Sequence, residues 1–385
     1  MGIKSILILV VGLIAGGVVF TTSPAAASVG IGVTPSLIKL AAEPGTSGSQ
    51  NLTVSNEGDQ PVEVTVTVNT LADAAPENSA VDWMTVTPSS LQLEPGQKQE
   101  IAVSIEVPDG LASGGYYASV TLTTGSSSNE SATGIAAQLG VPFLFTIDGT
   151  GDLEESAEIE RFEPIFEADG RVGFAAQLRS TGNVYIEAQG QIEIADVNGK
   201  HVASLELPQS PRILPGSALL LSTQGSVPLE IGQTYTATAT LTYGASQTAL
   251  TSSQTFTVGE PAVTAVQLSV CENLDTGPTL SLGLQNEGQL GAQPGVALEI
   301  RTADGENLGQ AALPGQVIAW PGETGHYTVV FPERLESGNY SFSVTTQLGQ
   351  EQPVTTELPF QIGGVEGTPV PLCSSTSVPA STPAA

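Results

Sequence analysis

The chain has 385 residues, with 39 acids against ten Lys and Arg, and its formal charge is -29 although only 13% of it is charged. The acidity is a shortage of bases in a surface of Ser, Thr, Gln and Gly, a composition that favours solubility outside the cell. A field of this sign repels phosphate backbones and anionic membranes, which excludes nucleic-acid binding.

In chain order, the first segment carries Lys4, then an apolar run over residues 6–20, then small residues ending at Ala25, Ala26 and Ala27. About 15 apolar residues fall short of the about 20 that a membrane-crossing helix needs. Residues 1–27 therefore read as a secretory signal peptide with cleavage after Ala27, leaving Ser28 as the mature start. No Cys stands near that junction, so a bacterial lipoprotein anchor is not expected. About 358 residues remain, enough for two or three domains.

Beyond residue 28 the pattern is short and alternating. Residues 51–55, 62–68, 101–107 and 119–123 alternate apolar side chains with Thr, Ser or Glu, and Gly, Pro, Asn and Asp punctuate between them. Such alternation marks strands with one buried face. No helical periodicity appears after the signal peptide, which points to an all-β chain. Later landmarks recur at a fixed distance. Gly182, Asn198-Gly199, Leu214-Pro215-Gly216 and Gly232 to Tyr235 are answered by Gly288, Asp304-Gly305, Trp320-Pro321-Gly322 and Gly338 to Tyr340. The first three offsets are 106 residues, and the last runs from 106 at its glycines to 105 at its tyrosines. The first part repeats the frame in Asn56-Glu57-Gly58, Glu94-Pro95-Gly96 and Gly114-Gly115-Tyr116. Pro-Gly suits the centre of a type II turn, Asn-Gly and Asp-Gly suit hairpins, and a Tyr leading a strand after Gly suggests a tyrosine corner. The expected organisation is three tandem Ig-like β-sandwich domains after a signal peptide, at 28–149, 150–258 and 259–363. A Pro/Ser/Thr-rich tail follows at 364–385.

Over residues 31–147 the chain resembles the periplasmic pilus chaperones and, more loosely, Ig-like domains of bacterial surface proteins. The resemblance rests on Val33-Thr34-Pro35, Leu52 to Asn56, Leu93 to Lys98, Tyr116 to Val120 and the closing strand from Gln138 to Thr146. It implies a sandwich that binds a protein subunit by sheet-edge pairing. It also implies a clamp for the subunit's C-terminal carboxylate, made by an arginine in the first strand and a lysine in the last. Here those stretches read Ser36-Leu37-Ile38-Lys39 and Gly140-Val141-Pro142-Phe143, so Lys39 alone is a candidate cation.

Residues that would carry chemistry are sparse. His201 and His326 lie in different repeats on presumed loops, without a Cys or second His at metal-ligand spacing. No nucleophile elbow, zinc-protease helix or phosphate loop is present. Acids cluster where the first repeat meets the second, at Glu154, Glu155, Glu158, Glu160 and Glu163. Such runs are usually solvated, and an interdomain calcium site on Asp152, Glu154 and Glu155 is the sharper alternative. Cys271 and Cys373 are the only cysteines and would meet an oxidising compartment. An intramolecular disulfide, two separate thiols and an intermolecular bridge all remain open. Trp83 and Trp320 are either core residues or exposed platforms for a partner.

The expectation is a non-enzymatic secreted, periplasmic or cell-surface protein without a cofactor and without a membrane span in the mature chain. It would act as an interaction or scaffold module that pairs with a protein along a sheet edge. A carbohydrate- or peptidoglycan-binding surface protein, using Trp83 and Trp320 on cell-wall glycan, is the alternative.

Overall fold

The computed structural model describes residues 30–124, 137–271, 277–313, 318–331, 335–349 and 353–362. The segment 1–27 expected to be a signal peptide, the expected tail at 364–385 and Cys373 lie outside the described residues. Among the described residues every long element is a strand, and the two helices are three-residue 3-10 turns at Pro76–Asn78 and Val81–Trp83.

The first sandwich contains β1 (Ile31–Thr34), β2 (Ile38–Ala42), β3 (Ser47–Asn56), β4 (Val62–Asn69), β5 (Met84–Thr87), β6 (Ser90–Leu93), β7 (Lys98–Glu106), β8 (Gly114–Thr124) and β9 (Gln138–Ile147). Its sheets have the orders β1-β3-β7-β5 and β2-β9-β8-β4-β6. In β4 the alternation is direct: Val62, Val64 and Val66 are buried, while Glu63, Thr65 and Thr67 are exposed. Leu52, Ile101 and Val103 from one sheet meet Val64, Leu122 and Phe143 from the other in a core of their own.

The next strands are β10 (Ala157–Glu167), β11 (Val172–Ser180), β12 (Ala188–Asp196), β13 (His201–Leu207), β14 (Ala218–Ser222), β15 (Thr234–Tyr243) and β16 (Thr248–Thr257). They form the orders β14-β11-β10 and β13-β12-β15-β16. The last set comprises β17 (Val263–Cys271), β18 (Thr279–Asn286), β19 (Gly291–Gln293), β20 (Gly295–Thr302), β21 (Asn307–Ala312), β22 (Thr324–Val330), β23 (Gly338–Gln347) and β24 (Val354–Ile362). Its sheets are β17-β18-β22 and β21-β20-β23-β24, and β19 crosses over to pair in parallel with β10. One continuous apolar core runs through the second and third sandwiches, whereas that of the first is separate.

The same turn recurs in all three. At Glu94–Gln97, Leu214–Ser217 and Trp320–Glu323 the fourth N–H donates to the first C=O at 2.9, 3.0 and 3.0 Å. Gly96, Gly216 and Gly322 sit at φ of 75–76°, the left-handed value that a type II turn needs at its third residue. Each glycine N–H then donates 2.9 Å to a strand-end carbonyl, of Asn56, Ser180 and Asn286 in turn. The tyrosines after the glycines brace connections as tyrosine corners do: the Tyr116 and Tyr340 hydroxyls donate to the Ala112 and Glu336 carbonyls, and Tyr235 accepts from the Glu230 N–H.

Candidate functional site

The first position of that turn sets how each sandwich meets the one before it. Glu94 is exposed. Leu214 packs with Leu71, Tyr117 and Leu144 of the first sandwich, and Trp320 packs with Ile165, Ala175 and Ile318 at the seam with the second. An apolar residue therefore stands at this position where a sandwich precedes, and a charged one where none does among the described residues.

Asn183 ties the first seam. Its side-chain amide donates to the Ser113 and Asp152 carbonyls at 3.1 and 2.8 Å, and its Oδ1 accepts from the Glu154 N–H at 2.7 Å. Its own carbonyl accepts from the Gly115 N–H at 2.7 Å. At the same seam the Tyr117 phenol is buried at the Tyr185 backbone, and desolvation holds its pKa above the ordinary value. Below pH about 10 the phenol is neutral both folded and unfolded, so its contribution to stability is full there. As pH rises through that value the unfolded chain ionises first and stability falls. Tyr117→Phe is therefore expected to flatten the alkaline limb of a stability-versus-pH curve, and an unchanged limb would contradict the burial.

Beside this seam lies a cleft of about 940 Å³, lined by Lys39, Tyr185, Glu187, Gln209 and Ala245 among others. Lys39, on edge strand β2, donates to Glu187 Oε1 at 2.7 Å and lies 5.4 Å from the centre of the Tyr185 ring. The bond to Glu187 raises the Lys39 pKa. The cation is thus paired within the chain, in a surface ion pair that leaves the Lys39 side chain 43% exposed.

The other candidates separate. Trp83 is only 8% exposed and packs 4.9 Å from Tyr116 and 5.4 Å from Phe145, which corrects its reading as a partner-facing residue. Its indole fills the end of the first core, where a large apolar ring gains most by leaving water. Trp320 is half-buried under the Arg161 guanidinium, 4.5 Å from its ring, so what it faces is the chain's own second sandwich.

The acid cluster is dispersed as well. Glu155 accepts from the Ala245 N–H at 2.8 Å, Glu160 pairs with Arg179, and Glu163 accepts from Gln254 Nε2 at 3.2 Å. Asp152 and Glu154 contribute backbone groups to the Asn183 bracket. Among the described residues no three His, Cys, Asp or Glu converge to hold a metal, so the calcium candidates Asp152, Glu154 and Glu155 are not assembled as a site. Cys271 ends β17 and is not a free thiol.

Both histidines lie on strands, not loops: His201 opens β13 and His326 is within β22. His201 Nε2 lies 2.9 Å from Ser204 Oγ and 3.0 Å from Glu193 Oε2. A nucleophilic triad needs the acid on the opposite ring nitrogen, and here one nitrogen faces both partners on an open surface.

The remaining feature is an edge. β9 pairs β8 along its whole length but meets β2 only from Phe143 onward, so among the described residues Gln138–Pro142 has a strand on one side only. The Ala137 carbonyl accepts from the Thr124 N–H, and the Asp148 N–H donates to Ala42, on the side of β2. Backbone direction alternates along a strand, so Gln138 and Gly140 present their N–H and C=O outward. Pro142 ends that donor row. The side chains of Val141, Phe143 and Phe145 in this strand are all buried, and the accessible groups are backbone.

Residues 30–113 match the family profile described as pili and flagellar-assembly chaperone, PapD N-terminal domain. No curated protein matches the chain. Among solved structures, the E. coli chaperone DraB is 12% identical, covers 60% of this chain and 97% of its own, and has a TM-score of 0.33. The Pseudomonas aeruginosa CupB2 chaperone is 10% identical over 58% of this chain and 98% of its own, with a TM-score of 0.29. A Salmonella enterica SafA pilin–SafB chaperone complex gives 12% identity, coverage of 61% and 99%, and a TM-score of 0.32. Over residues 30–113, the first sandwich is similar to the N-terminal domain of pilus chaperones.

Proposed function

We propose that this chain is a non-enzymatic protein of the cell envelope that binds an extended segment of a protein partner along the open edge of β9. The observation that carries the reading is the outward backbone of Gln138 and Gly140 beside no described strand. Unpaired backbone at a sheet edge captures a strand, and alternating side chains set its register. The match of residues 30–113 to a chaperone family adds support. With Lys39 already paired to Glu187, the reading assigns the partner's hold to strand pairing and not to a carboxylate clamp. Trp83 and Trp320, the aromatic platforms that glycan binding would use, are packed within the chain.

The proposal includes export by the segment 1–27, a division into sandwiches at 28–149, 150–258 and 259–363, and a disulfide from Cys271 to Cys373 that tethers the tail. The test is a pull-down from the source envelope with the purified chain and with Gln138→Pro/Gly140→Pro, alongside a glycan array. One stoichiometric protein recovered by the parent and lost with the variant is expected. Equal recovery by both, or glycan binding with no protein recovered, would sink the reading.

A further inference from the structure

We infer that the free edge of β16 is a self-association surface, on which a second copy of this chain docks by antiparallel strand pairing. β16 closes one end of the order β13-β12-β15-β16 and pairs β15 in unbroken register over ten residues. It contains no charged residue and no proline. Sheet edges are normally blunted by shortness, charge, proline or a bulge, because unpaired backbone templates another strand.

Most of the other described edges are blunted in one of these ways. β24, which stands at the repeat offset from β16, carries Glu357 and Pro359. β9, at the matching place in the first sandwich, carries Pro142 and is partly covered by β2. β17 is also an uncharged edge, but its register shifts between Val266 and Ser269. β1, β5 and β6 are only four residues long. Among the described residues β16 is the longest edge strand without a charge, a proline or a register shift, and β10 approaches it at Glu163 without pairing with it.

Its backbone direction is readable. Val258 exchanges hydrogen bonds with Gly232 and Gln233, on the side of β15. By alternation Thr251, Ser253, Thr255 and Thr257 turn their N–H and C=O outward.

Charge and register choose the occupant. The strip offers a cationic segment no carboxylate of its own, and Glu163, which reaches the strand, is engaged by Gln254. An uncharged edge is instead where two chains of charge -29 approach with least repulsion. A two-fold axis through Ser253 sets Thr251 opposite Thr255 on the outer face and Leu250 opposite Phe256 on the inner one. Thr–Thr pairs and pairs with an aromatic are favourable across strands. The outer face already uses hydroxyl pairs, with Thr234–Thr257 at 2.8 Å and Thr236–Thr255 at 3.0 Å. Such an isologous contact closes as a dimer.

Sedimentation velocity on the purified chain tests this, over a concentration series in about 0.01 M and about 1 M salt, between which the screening length falls from about 30 to about 3 Å. A concentration-dependent dimer that strengthens with salt is expected. Ser253→Pro removes an outward N–H together with the Ser253 hydroxyl's contacts to Thr238 Oγ1 and the Ala237 carbonyl, so Ser253→Ala serves as its stability control, and Thr255→Lys adds a charge without altering the backbone. Ser253→Pro and Thr255→Lys are each expected to weaken dimerisation roughly tenfold or more while circular dichroism and Tm stay those of Ser253→Ala and of the parent, respectively. A chain that is monomeric throughout, a dimer that survives both substitutions, or one that salt weakens would overturn the inference.

Discussion

Replacing Asn56 by alanine is expected to destabilise the first sandwich by about 3 kcal/mol, at roughly 1 kcal/mol for each of its three side-chain hydrogen bonds. Asn56 is 1% exposed. Its amide donates to the Gln60 and Leu93 carbonyls at 2.8 and 3.0 Å, and its Oδ1 accepts from the Gly58 N–H at 2.9 Å. Asn286 makes the same three contacts, to Leu290, Ala319 and Gly288, at 2.8 Å each, so Asn286→Ala is expected to cost about as much in the third sandwich. The second sandwich supplies the control. There Ser180 takes the position, fully buried, with a hydroxyl that has no hydrogen-bond partner. Ser180→Ala is expected to be neutral or to stabilise by up to about 1 kcal/mol, since it removes an unsatisfied buried group. Urea melts of the three variants decide the matter. A loss at Ser180 equal to that at Asn56 would show that the asparagine bracket is not what holds the turn.

Trp83→Ala is expected to cost about 3–5 kcal/mol, the range for emptying a buried tryptophan site. The ring contacts Tyr116 and Phe145 within a core that is separate from the one shared by the second and third sandwiches. The loss should therefore appear in one unfolding transition and leave the other in place. A cost under about 1 kcal/mol would return Trp83 to the surface and reopen the platform reading.

These two cases show what was legible in the sequence. Asn56-Glu57-Gly58 and the Pro-Gly turns were readable because a left-handed glycine and its neighbours are chosen by local backbone sterics. The alternation of Val62, Val64 and Val66 was readable because a strand's side-chain period is two. The environments of Trp83 and Trp320 were not, since only the packing of distant strands buries one in a core and places the other at a seam. The Lys39–Glu187 pair spans 148 residues, and no short-range signal announces it. Glu94, Leu214 and Trp320 did carry a usable signal. They occupy one position of a repeated turn, and a change from acid to apolar there marks which sandwiches have a predecessor to pack on. The acids near residue 155 are neighbours in sequence that do not converge among the described residues, because proximity in sequence does not aim strand side chains at one point.

The claim that the chain captures protein by strand pairing at β9 is tested most directly by placing a photo-crosslinking side chain at exposed Gln138 and irradiating the chain in its own envelope. The account predicts one protein adduct, lost when Gly140 is also replaced by proline. An adduct that survives that replacement, or irradiation that yields none, would contradict it.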